Sequence, residues 1–158
     1  MKEKEVKNLI EKLNRRAHDA TRICLFKGCK VQSIQSHLLQ KKGIINQIAE
    51  HNHVIELGIN NFKTDKFYFK RIGINESFTF PGFCSQHDHL IFREIENENT
   101  DYSSYRTQLL LSYRAVMNEK RKKEIAIDSY NRILNSNTLS PYLTNDYLII
   151  RKMTVEDV

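Results

Sequence analysis

Apolar residues recur every three or four positions near the start of the chain, at Val6, Ile10, Leu13 and Ala17, with Lys, Glu and Arg between them. That spacing puts them on one helical face and predicts a helix over residues 2–20. Val31 and Ile34 suggest a short strand. Ile44, Ile45, Ile48 and Ala49 mark the apolar face of a second helix over 41–51. The period then shortens. His53–Leu57 and Phe67–Ile72 read as two strands, the second rich in aromatics, and the polar stretch 58–65 turns them into a hairpin. Phe78 and Phe80 form a third extended piece, which Pro81-Gly82 breaks.

Residues 84–97 read as a short helix whose apolar side is Leu90, Ile91 and Ile95. A polar stretch, 97–101, separates it from a long helix over 101–136. Tyr102, Tyr105, Leu109, Tyr113, Val116 and Met117 form one stripe on that helix, as core or helix–helix packing would require. Ser140-Pro141 has the N-cap and first-turn residues of a last helix, which would run through Tyr147–Ile150 to the final residue. The pattern divides the chain into 1–100 and a helical extension, 101–158.

Composition narrows the class. The 158 residues are 40 % hydrophobic and 28 % charged, which is globular and not disordered. The length is enough for one domain with a real core. Net charge is +6 and the pI about 9.2, which favours an anionic partner, nucleic acid first. Arg15, Arg16 and the run Lys120-Arg121-Lys122-Lys123 are explained by solvated helix faces, with phosphate contact as the alternative. No apolar run approaches a membrane span. The opening residues, Met1-Lys2-Glu3-Lys4-Glu5, are charged and not an apolar signal region. Three cysteines cannot all pair within the chain, so the expectation is a cytoplasmic protein with reduced thiols.

Those cysteines carry the candidate chemistry. Cys24 and Cys29 flank Gly28, where glycine lets the backbone turn so that both sulfurs face one ion. Lys27 and Lys30 favour their ionised form. Cys84 and His87 are three apart, on one face of a helix's first turn. Thiolate and imidazole are the usual tetrahedral zinc inventory, so the four residues are the expected zinc ligands. His37 is a fifth candidate, or a capping side chain before the helix at 41–51.

The order of these parts, a Cys pair, Ser36-His37, a helix, then Cys-x-x-His heading another helix, resembles the zinc-stapled branch of the HNH, or ββα-metal, nuclease family over residues 22–96. The resemblance implies an α+β fold: a treble-clef, ββα-metal-like zinc core with a small β-hairpin, flanked by an N-terminal helix and long C-terminal helices. It implies structural zinc on Cys24, Cys29, Cys84 and His87, and His37 as the general base. Asp88, or His89 beside it, would hold a catalytic magnesium or other divalent ion. The activity implied is hydrolysis of DNA phosphodiesters, in bacterial defence or a mobile element. Three features depart from the family pattern. The hairpin lengthens the gap from His37 to Cys84. The central Asn is missing from Thr79-Phe80-Pro81-Gly82-Phe83. Asp88 replaces the last histidine. An Asp suits a hard cation. The alternative is a catalytically silent treble-clef module that binds nucleic acid or protein, with the 101–136 helix as the protein-binding platform.

Overall fold

A computed structural model describes residues 2–59, 67–97 and 99–142. The protein is α+β. It contains α1 (Glu3–His18), β1 (Gln35–His37), α2 (Asn46–Ile48), β2 (His53–Ile59), β3 (Phe67–Gly73), β4 (Thr79–Pro81), α3 (Ser85–Phe92) and α4 (Tyr105–Leu134). Two compact units are formed, one from Arg22–Asn118 and one from Met1–Thr21 with Glu119–Val158. The sequence places the boundary at the polar stretch 97–101; the fold places it inside α4.

In the second of these units, α1 buries Ile10 beside Ile133 and Leu139, and Val6, Leu9 and Leu13 pack around them. The three-to-four spacing of these apolar residues is the face expected of α1. Glu3 and Glu5 lie in its first turn, and Arg15, Arg16 and His18 in its last, each on the favourable end of the helix dipole. Ser129 of α4 donates a hydrogen bond to the side-chain oxygen of Asn14.

The unit over 22–118 carries both sheets. β2 and β3 pair antiparallel, as the hairpin reading expects, with Val54 opposite Ile72 and Leu57 opposite Phe69, while the turn read over 58–65 lies largely outside the described residues. Val54 is buried with Ile45 and Ile74. On the other face Ile55, Leu57, Phe67 and Phe69 are exposed, Phe69 to 78 %. The second sheet pairs β1 with β4 antiparallel: Gln35 with Pro81, Ser36 with Phe80, His37 with Thr79. The main core, Cys24, Phe80, Phe83, Cys84, Phe92 and Ile95, lies where this sheet meets α3.

Several expectations need correction. The strand forms at 35–37 and not at 31–34, where Ile23 and Gln32 make an isolated bridge. The helix over 41–51 is a wide π-type turn, Lys41–Ile45, followed by the single turn α2. Phe78 takes φ +52, a left-handed conformation that ends the extended piece before β4. On α3, Leu90 is exposed and Phe92 is fully buried.

The stripe on α4 is also displaced. Tyr105, Leu109 and Val116 are exposed, while Leu110, Leu111, Tyr113 and Met117 pack on the core. Arg114 and Arg121 are buried, so Arg121 is not on a solvated face; it pairs with Glu124 at 2.6 Å. Ser140–Tyr142 forms one tight turn. The expected final helix through Tyr147–Ile150 lies outside the described residues.

Candidate metal centre

The first ligand pair sits on a folded-back ribbon. The N–H of Cys24 bonds to the carbonyl of Val31 at 2.8 Å, and that of Ser33 to the carbonyl of Arg22 at 2.9 Å. The tip is a tight turn in which the N–H of Cys29 reaches the carbonyl of Phe26 at 3.0 Å, with Gly28 at φ +82. A left-handed residue there is what glycine supplies without steric cost. The ribbon is tied to the second pair through the backbone. Leu25 N–H donates to the carbonyl of Gly82 at 3.0 Å, and Ile34 N–H to that of Phe83 at 2.8 Å.

The second pair lies at the head of α3. Cys84 occupies the N-cap in an extended conformation, and His87 follows in the first turn. The thiol of Cys84 is drawn below its ordinary pKa, chiefly by the backbone N–H of His87. Unpaired N–H groups at a helix start do this to any anion placed there. Burial pushes the Cys24 thiol up. It also receives the Phe26 N–H at 3.4 Å.

The four side chains converge, with their ligand atoms all within 4.8 Å of one another. Cys24 Sγ is 3.5 Å from His87 Nδ1, Cys84 Sγ is 3.2 Å from the same nitrogen, and Cys29 Sγ is 4.0 Å from Cys84 Sγ. Tetrahedral zinc at usual bond lengths requires edges of about 3.8 Å between sulfurs and about 3.5 Å from sulfur to nitrogen. The donor set therefore fits such an ion in chemistry and in spacing. All three cysteines are free thiols. A disulfide needs about 2.05 Å between sulfurs, far less than the Cys29–Cys84 separation. Phe26 stacks on the His87 ring, centroids 4.0 Å apart at 13°, and holds the imidazole in place. The Cys/His set is the one group of three or more such ligands among the described residues.

His37 does not join this set. It stands at the end of β1, and its Nε2 lies 3.3 Å from the carbonyl of Ile74. It lines a cavity of about 270 Å³ with Gln40, Lys41 and Glu96. Asp88, one residue beyond the candidate ligand His87, shares its surroundings. Burial pushes the Asp88 carboxyl above its ordinary range; the Ser36 hydroxyl, Arg114 and His37 work against that, and Glu96 adds to it. Ser36 also accepts the N–H of Phe83 at 3.2 Å, so β1 and the turn before α3 are joined under Asp88. The Oδ1 of Asp88 is buried with no hydrogen-bond partner. His89 is on the exposed side of α3.

Two residues around this region carry no signal in the sequence. Arg114 of α4 is buried, bonds Glu96 at 2.6 Å, and lies 3.9 Å over the Phe92 ring. Glu96 sits near the end of the stretch that reads as a short helix, 84–97, just before the polar linker. Nothing in their spacing separates either one from an ordinary surface charge.

No helix among the described residues is long and apolar enough to cross a membrane. No family model, no curated protein and no solved structure matches the chain. The fold and site thus define a small α+β protein with a Cys3His set able to hold a metal ion, zinc being one that suits it.

Proposed function

We propose that the protein is a zinc-organised, HNH-like endonuclease that hydrolyses nucleic-acid phosphodiesters. The observation that carries this reading is the placing of His37 and Asp88 in one neighbourhood by β1, its antiparallel partner β4, and α3. That is a ββα order closed by a Cys3His set, with the β2–β3 hairpin between β1 and β4. Zinc on Cys24, Cys29, Cys84 and His87 would pin the ribbon to α3, in a treble-clef-like core and a reducing compartment such as the cytoplasm.

The general-base role falls to His37 on geometry. A carbonyl can only accept, so the bond to Ile74 puts the ring proton on Nε2 and leaves the lone pair on Nδ1. Nδ1 can then take a proton from a water poised to attack phosphorus. Asp88 offers Oδ1, a buried oxygen without a partner, as a hard ligand, while Ser36 holds the carboxylate in place. A divalent ion such as magnesium, once bound there, would stabilise charge on the phosphate and the leaving oxygen. The net charge of +6 suits a polyanionic substrate held through its backbone.

The test is magnesium-dependent nicking of plasmid DNA. His37→Ala should keep zinc content and helicity and lose cutting by about 10²- to 10⁴-fold. Equal cutting by wild type and variant would sink the reading, and so would a wild type that cuts neither DNA nor RNA.

A second reading, a catalytically silent zinc module that binds a protein partner, is favoured by one observation. Tyr105, Leu109 and Val116 form an exposed apolar stripe on α4, with Tyr105 79 % exposed.

A further inference from the structure

Gln40, which lines the cavity beside His37, carries an amide donor with no acceptor. Gln40 is only 7 % exposed. Its Oε1 accepts the hydroxyl of Tyr102 at 3.1 Å, which leaves the amide nitrogen as the free end. That nitrogen, Nε2, is buried and has no hydrogen-bond partner. Buried polar groups are nearly always paired, so an orphan on a residue that lines a cavity points to a ligand that completes it.

The other groups on that wall select the ligand's charge. Lys41 donates to the neutral side-chain oxygen of Asn75 and pairs with no carboxylate among the described residues. Glu96 is engaged by the Arg114 guanidinium at 2.6 Å, so its charge is balanced within the protein. His37 adds an imidazole. The lining therefore presents an N–H donor and an ammonium whose charge is not offset. Such a pair suits an anionic oxygen, where a charge-assisted hydrogen bond is strong. A volume of about 270 Å³ admits a phosphate group with room for a flanking sugar.

We propose that Gln40 and Lys41 form a phosphate subsite. Gln40 Nε2 donates to a non-bridging oxygen and Lys41 balances the charge. On the hydrolase reading above, on which this assignment of substrate rests, the phosphate is the diester that His37 acts upon. Gln40 then fixes the phosphorus relative to the imidazole.

The experiment follows the Gln40 side-chain amide by proton–nitrogen NMR in the zinc-loaded full chain, assigned through its bonds to the backbone. Inorganic phosphate, the dinucleotide thymidylyl-thymidine and, as control, thymidine are titrated in turn. The expected result is a saturable shift of the Gln40 amide with both phosphate-bearing probes and none with thymidine. Gln40→Leu and Lys41→Ala should each weaken binding about tenfold. Gln40→Glu, which puts a carboxylate on the wall, should abolish it. Zinc content and circular dichroism report whether each variant folds, and the wild-type titration decides the matter if one does not. A shift with inorganic phosphate alone would overturn the diester assignment. A Gln40 amide unmoved by both probes, or Gln40→Glu binding phosphate as well as wild type, would overturn the subsite. The two proposals also fail separately. A shifting amide in a protein that never cuts removes the hydrolase and keeps the subsite. His37-dependent cutting with an unmoved amide removes the subsite alone.

Discussion

Arg114 is the residue whose replacement should separate charge from packing in the unit that holds the Cys3His cluster. Its side chain is 1 % exposed, while that of its partner Glu96 is 34 % exposed. The guanidinium over Phe92 is fully desolvated, which makes the cation–π contact worth about 2 kcal/mol. The ion pair is worth less than a fully buried one. When the guanidinium is removed, Glu96 can rehydrate, so its share is about 1 kcal/mol and not the 3–5 kcal/mol typical when a buried charge is stranded. Against this stands the unpaired Nε of Arg114, whose removal returns about 1 kcal/mol. Arg114→Ala also deletes two buried methylenes at about 0.8 kcal/mol each. Alanine should therefore destabilise by about 4 kcal/mol. Methionine keeps the stem and places a sulfur near the Phe92 ring, so Arg114→Met should cost only about 1 kcal/mol. Urea unfolding of the zinc-loaded protein, followed by circular dichroism and by the visible bands of a cobalt-substituted sample, measures both. Equal costs for the two variants would show that charge and not packing dominates. A cost under about 0.5 kcal/mol for alanine would contradict the burial of this residue altogether.

Two further changes probe the ligand ribbon. At Gly28 an added Cβ meets nothing within 4 Å, but φ is +82, so Gly28→Ala should destabilise by about 1–2 kcal/mol through backbone strain alone; Gly73→Ala, equally open and without a positive φ, should stay within about 1 kcal/mol of wild type in the same melts. Phe26→Ala removes the ring stacked on His87 and should weaken zinc affinity about tenfold in a chelator competition, and an unchanged affinity would show that the imidazole needs no such support.

The Cys3His cluster is the most legible part of the chain. Soft ligands are rare, and Cys24/Cys29 and Cys84/His87 stand in close pairs whose spacing already implies a turn and a helix start. The β2–β3 hairpin was legible for a similar reason, since alternating apolar and aromatic residues around a polar stretch have one common solution. Helix 41–51 misled because Ile44, Ile45 and Ile48 have the helical period, yet only Ile45 is fully buried and the chain widens into a π-type turn. On α4 residue type alone points the apolar stripe at the core. The buried line runs instead through Thr107, Arg114, Arg121, Ile125 and Ile133, at three- to four-residue multiples, and two of these are arginines. A buried arginine is visible only once its partner is known, and Glu96 lies 18 residues away. The grouping of α1 with the C-terminal part of α4 was hidden for the same reason: it rests on contacts such as Ile10 with Ile133, which no local pattern announces.

The most direct test of the metal centre is elemental analysis of protein purified without chelator or added metal. One zinc per chain is expected, displaceable by cobalt with a thiolate-to-metal charge-transfer band, and lost together with helicity in Cys24→Ser and Cys84→Ser. A metal-free wild type that keeps its fold, or a zinc content unaltered by both substitutions, would contradict the account.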